Sequence, residues 1–176
     1  VKNLGGNGCK SIFPGFSIPN HPGHRLVKLW LLTSGGALKP SVLYRAASVL
    51  LFVFAIGHTL GFRQTDPQWG VDALIASLRS THFNVQGFNR SYWDFYVGFG
   101  LFVSVLLLFA AVLAWQLSAL SAETLSSMRG TAWSLAACFF AVTILSCIYF
   151  FIVPIVLSIL ILTCLVTAAW LSAKPG

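Results

Sequence analysis

Few side chains in this sequence could move a proton or hold a ligand, and the most suggestive lie where two long apolar runs end and begin. His58 sits in "GHTLGF", between Gly57 and Gly61, at the close of the run "SVLYRAASVLLFVFAI". Asp94 sits in "SYWDFYVGFG", at the opening of the next run. An ionisable residue near the bilayer core is costly and by default marks a site. A carboxylate beside an imidazole would fix its tautomer and prepare it for proton transfer. The two residues stand about one turn from the same end of successive helices, so we expect them at similar depth and hydrogen-bonded. Arg63, Arg90, Tyr92 and Tyr96 fall close by in the sequence, and His82 lies in the intervening loop.

Three readings of this constellation compete. The first is a structural lock between two helices, and it leads because Asp94 has a second duty. "Ser91-x-x-Asp94" is the pattern that satisfies free amides at a helix start and suits the helix dipole. The second is a ligand or proton site. The third is a metal or haem, and it is weak. A bundle cytochrome usually wants two facing histidines. Here His58 is the one histidine within a span; His21 and His24 lie in the amino-terminal tail. A zinc site of His58, His82 and Asp94 has no recognisable spacing. No cofactor and no metal are expected. The sequence holds no Gly-rich phosphate loop, no G-x-S-x-G elbow and no H-E-x-x-H.

The elements that must position these residues are set by composition. Of 176 residues, 57% are hydrophobic and 9% charged, against roughly 25% charged in an ordinary soluble domain. A chain this short has too little interior for so much apolar surface. Runs of about 20 apolar residues become spanning helices in lipid. The net charge of +7 comes from basic residues scattered between apolar segments. They form no dense stripe, so nucleic acid is not an expected partner. Basic residues beside spans set orientation and meet lipid head groups. Cys138, Cys147 and Cys164 lie in apolar runs and behave as small hydrophobes; with Cys9 they form no disulfide framework or zinc motif.

The expected fold is all-α, a four-transmembrane-helix bundle. The spans fall at about 41–62, 92–116, 131–150 and 153–171. Pro40 suits the start of the first. The charge-free stretch from Thr131 to Ser172 would be roughly 60 Å long as one helix, twice the apolar thickness, so it must fold back. Pro154 is the natural break, and "YFFIVP" should form a tight turn anchored by aromatics. Gly57 and Gly61 make a small-x-x-x-small step, and Gly98 with Gly100 a matching thin region, so we expect a glycine seam between the first two spans.

Residues 1–38 differ in kind. Rich in Gly, Pro and Asn, they read as a flexible tail. The patch around Leu29–Leu32 is too short to span and could at most rest on a bilayer. We expect the native chain to begin near Lys39, with the tail as upstream translation. In the loop between the first two spans, Val71, Leu74, Ile75 and Leu78 share one helical face opposite Asp72 and Arg79. That is an amphipathic helix, on the bilayer or capping the bundle. The next piece, "STHFNVQGFNR", is dense in amides and aromatics without strong periodicity. It reads equally as a functional loop or a plug.

Orientation follows from Lys and Arg. With the amino terminus inside, eight lie on the inner side and three, Arg63, Arg79 and Arg90, outside; without the tail the count is four to three. Both favour cytoplasmic termini. "KPSVLYRAASVLLFVFAIGHTLGFR" followed by "HFNVQGFNRSYWDFYVGFGLF" resembles a group of small, uncharacterised bacterial four-helix membrane proteins, over about Lys39 to Lys174. The resemblance implies an integral membrane protein with no settled activity and carries no catalytic residue; the bacterial inner membrane is the expected location. The leading functional reading is a non-catalytic partner subunit or small hydrophobic-ligand binder, in contact with the lipid bilayer and with a membrane protein partner or a second copy. The runner-up is a membrane-embedded enzyme acting on a lipid-like substrate, with His58 and Asp94 as its acid–base pair. A transporter is weaker, because four spans with one ionisable pair make no path.

Overall fold

The computed structural model describes residues 39–173. The expectations for residues 1–38, and Lys174 at the other end, lie outside the described residues. Four long helices are apolar enough to cross a membrane: α1 (Pro40–Gly61), α3 (Tyr92–Ala119), α5 (Arg129–Tyr149) and α6 (Ile152–Ser172). Between α1 and α3 lie a single 3-10 turn (Pro67–Trp69), α2 (Asp72–Ser80), and the strands β1 (His82–Val85) and β2 (Phe88–Ser91). A short helix, α4 (Ala122–Ser127), joins α3 to α5.

Each helix starts where its sequence allows it. Pro40 opens α1 at a position where its missing N–H costs nothing. Ser91 caps α3, accepting from the Asp94 amide while the Asp94 carboxylate accepts from the Ser91 amide. This is a full capping box. Ser121 caps α4, accepting from the Thr124 amide, and a buried Leu125 ties that short helix down. Sequence reading gave no helix here.

The fold-back after α5 is sharper than expected and sits earlier. Phe150 and Phe151 are both extended, and they alone form the turn. Pro154 is the third residue of α6. There the amide has no intrahelical acceptor, so the proline fits the first turn instead of breaking a helix. Tyr149, Phe150 and Phe151 are all exposed, as aromatic anchors at an interface are.

The helices form a row in the order α3, α1, α6, α5. Extensive contacts join α3 to α1, α1 to α6, and α6 to α5. On α1 the buried residues are Tyr44, Ala47, Ser48, Leu51 and Ala55, a stripe at helical spacing. The faces that meet are built from small residues: Ala110, Ala111 and Ala114 on α3, Ala132 and Ala136 on α5, Ala168 and Ala169 on α6. Alanine stripes let backbones approach closely without glycine's cost in helix stability. The outward faces carry Phe99, Phe102, Leu106 and Phe109 on α3 and Phe140, Leu145 and Ile148 on α5, all exposed. Such faces are stable only against lipid or another protein.

The loop between α1 and α3 folds onto the start of α3. Val71, Ile75 and Leu78 of α2 are half-buried, whereas Leu74 is exposed. So three of the four expected positions, the N-cap Val71 among them, turn inward where α2 meets α3 and β2, and the fourth turns outward. The segment left without assigned structure is a β-hairpin, paired from His82 with Ser91 to Val85 with Phe88. Gln86 and Gly87 form its turn, at φ 53° and 86°. Two successive positive φ values give the twist that a two-residue hairpin needs.

Candidate functional site at the seam of α1 and α3

The two helices run antiparallel, and side chains fix their register. Ser48 Oγ donates to Ala111 O at 2.7 Å, buried in the middle of the seam. His58 Nε2 donates to Gly100 O at 3.1 Å. A carbonyl only accepts, so Nε2 carries the proton. Ser104 Oγ donates to the same carbonyl at 3.2 Å, and Thr59 Oγ1 lies 2.8 Å from Ser104 Oγ and 2.6 Å from Ala55 O. At the end of α1, the Tyr96 hydroxyl donates to Phe62 O. At the other end, the Arg45 guanidinium lies 5.9 Å above the Trp115 ring.

This register separates His58 from Asp94. Four residues back from Phe62 is His58, and four residues forward from Tyr96 is Gly100, so the steps match along both helices. Continued outward, Asp94 stands opposite the chain that has already left α1. It lies six residues from His58's partner Gly100, about 9 Å along the axis. The expected pair is not formed. Helix α3 has 28 residues and α1 has 22, so the first turn of α3 projects beyond the end of α1. Distance from a helix end was the wrong measure of depth.

Asp94 is occupied locally. Its Oδ2 accepts from Ser91 N at 2.8 Å and Ser91 Oγ at 3.0 Å. His58 is half-buried and stacks on Phe62, with ring centroids 5.2 Å apart. Tyr96 packs on Phe62 and on Trp93, and Arg79 of α2 covers Trp93 at 4.5 Å. Tyr92 and Phe95 hold the hairpin through Phe83, at centroid distances of 4.9 and 5.4 Å. Arg63 lies over Phe62 at 5.3 Å. Arg90 lies over Phe88 at 5.6 Å and donates to Asn89 O. His82 is exposed, with Nδ1 2.9 Å from Ser80 O. Among the described residues, no three His, Cys, Asp or Glu side chains are gathered closely enough to hold a metal.

The glycine seam is also redrawn. A Cβ placed on Gly57, Gly61 or Gly98 would meet nothing within 4 Å. These three face outward, and the helices meet elsewhere. Of these four glycines, Gly100 is the one where a Cβ would collide, overlapping the Phe62 ring. Sequence reading missed Ser48 and Thr59. The signal was present, since Ser48, Ala55 and Thr59 share one face of α1, as Gly100, Ser104 and Ala111 share one face of α3.

Compared with known proteins, the chain matches no protein family, no curated protein and no solved structure. The geometry therefore stands alone. It describes an integral helical membrane protein in which, among the described residues, His58 is the one histidine within a span and makes a helix–helix contact.

Proposed function

We propose that this is a non-catalytic multi-pass membrane protein that works by holding a second molecule, as a small hydrophobic-ligand binder or as a partner subunit. The observation that carries the reading is the open row of helices. Because α3 ends the row, its outer face packs on no other span among the described residues, and Phe99, Phe102, Leu106 and Phe109 stand exposed along it. The acid–base alternative loses its chemistry, since His58 and Asp94 are out of step and each has another partner.

In this reading the protein lies in a bacterial inner membrane with both ends of the four-span domain cytoplasmic. The support is the excess of Lys and Arg on that side and the resemblance to small bacterial four-helix proteins. Purification in mild detergent, followed by mass spectrometry of lipids and proteins together, tests the function. A co-purifying lipid-like molecule or a stoichiometric membrane protein supports it. A bare monomer would contradict it. Reporter fusions after Ser172 and at residues 86–87 should read cytoplasmic and periplasmic; the reverse would overturn the topology.

A further inference from the structure

A groove lies on the outer side of the first turns of α3, lined by Arg90, Asp94, Phe95, Gly98, Phe99 and Phe102. The residues that meet α1, namely Tyr96, Gly100 and Ser104, are not among them. Gly98 forms an open floor, with no atom within 4 Å of where its Cβ would be. Phe99 and Phe102 are 65% and 69% exposed.

Depth divides this groove in two. Helix α1 has 22 residues, about 33 Å, which matches a hydrocarbon thickness of about 30 Å. Its end therefore marks the edge of the apolar layer. Tyr96 meets Phe62 at that edge, so Asp94 and Arg90 lie just outside it, at head-group level. Gly98, Phe99 and Phe102 lie below it, among acyl chains.

The polar half carries one charge of each sign, near enough to feel each other's field, yet among the described residues no hydrogen bond or ion pair joins them. Both hydrogen bonds to the Asp94 carboxylate use Oδ2, which leaves Oδ1 without a partner among the described residues. The Arg90 guanidinium has five N–H donors, and one hydrogen bond, to Asn89 O, is formed among the described residues.

We propose that this groove binds a zwitterionic aminophospholipid of the phosphatidylethanolamine type. The phosphate lies on Arg90, the ammonium on Asp94 Oδ1, and one acyl chain along Phe95, Gly98, Phe99 and Phe102. Charge complementarity selects the head group. An anionic lipid such as phosphatidylglycerol would satisfy Arg90 but bring no cation to Asp94 Oδ1. A choline head group carries the positive charge and has no N–H to donate. An ethanolamine ammonium has three. The proposal rests on the ligand-binder reading above and names its ligand.

The test uses the full chain in mild detergent with an equimolar mixture of dioleoyl phosphatidylethanolamine, phosphatidylcholine and phosphatidylglycerol, read by native mass spectrometry. Phosphatidylethanolamine should be retained about three- to fivefold over the others, the worth of one exposed ion pair. Asp94→Asn, whose amide oxygen can still accept from Ser91, should move the preference to phosphatidylglycerol. Arg90→Gln should lower retention of all three. Gly98→Leu, whose Cβ meets no atom within 4 Å, should fill the groove and exclude lipid while leaving the fold intact. Equal retention of the three lipids by the parent, or an ethanolamine preference unchanged in Asp94→Asn, would overturn the aminophospholipid site and leave the broader binder reading standing. No retained lipid would overturn both.

Discussion

The two halves of the row are held together by different means. Across the seam of α1 and α3, polar side chains reach from one helix to the other: Ser48 to Ala111 O, His58 to Gly100 O, Thr59 to Ser104, and Tyr96 to Phe62 O. In α5 and α6 four hydroxyls turn back on their own helices. Thr143 donates to Phe139 O, Ser158 to Ile155 O, Thr163 to Ile159 O and Ser172 to Ala168 O. The connectors explain the difference. Helices α5 and α6 are joined by two residues, so their register is fixed by the chain itself. Helices α1 and α3 are separated by thirty residues, α2 and the hairpin among them, and no tight turn sets their register. Directional bonds must do so instead. Each is worth modestly little in a membrane, on average about 0.6 kcal/mol, but a slipped register would leave several unpaired together.

The contrast can be broken most severely at Gly100. Gly100→Leu forces a side chain into the Phe62 ring and should cost about 1–3 kcal/mol, the range for overpacking. Combining it with Phe62→Ala should restore much of that loss. Gly57→Ala or Gly61→Ala, at open positions, should be neutral or slightly stabilising, because alanine is the better helix former. Unfolding in mixed micelles measures all four, and a Gly57 variant as damaged as Gly100→Leu would restore the glycine seam.

Next in size is the cap of α3. Ser91→Ala removes one half of the capping box and should cost about 1 kcal/mol. It should also loosen the hairpin, because Ser91 pairs with His82 in the ladder. Faster hydrogen exchange at residues 82–91 would show this; unchanged exchange would mean the hairpin is held by Phe83 alone.

Smaller again is the direct comparison of the halves. Ser48→Ala should cost about 0.6 kcal/mol, the average for interhelical hydrogen bonds in membranes. Thr163→Ala removes a bond within one exposed helix turn and should stay within about 0.5 kcal/mol of the parent. Equal costs would erase the distinction. The smallest effect is expected at Pro154, where Pro154→Ala should leave the fold-back in place, because Phe150 and Phe151 make the turn.

Much of this was legible in the sequence, and the reason is physical. Four spans follow from apolar length alone, and the Ser91–Asp94 box from two residues three positions apart. What failed were statements about which residue stands opposite which. The offset between α1 and α3 depends on how far each helix projects, and hydropathy does not encode it. Glycines four apart read as a seam, yet at Gly57 and Gly61 the same spacing faces outward. The hairpin escaped because its strands are four residues each and Gln-Gly is a weaker turn signal than Asn-Gly. The groove on α3 escaped because its residues, Arg90, Asp94 and Phe102, converge only once the helix is built.

The central claim is that His58 locks α1 to α3 in a register that excludes Asp94. Double-mutant cycles for unfolding in mixed micelles test it directly. Thr59→Val with Ser104→Ala should couple, because their hydroxyls touch. His58→Ala with Asp94→Ala should be additive, because the residues lie about two helical turns apart. A His58/Asp94 double mutant costing clearly less than the sum of its parts would contradict the register, and with it the assignment of His58 to the lock.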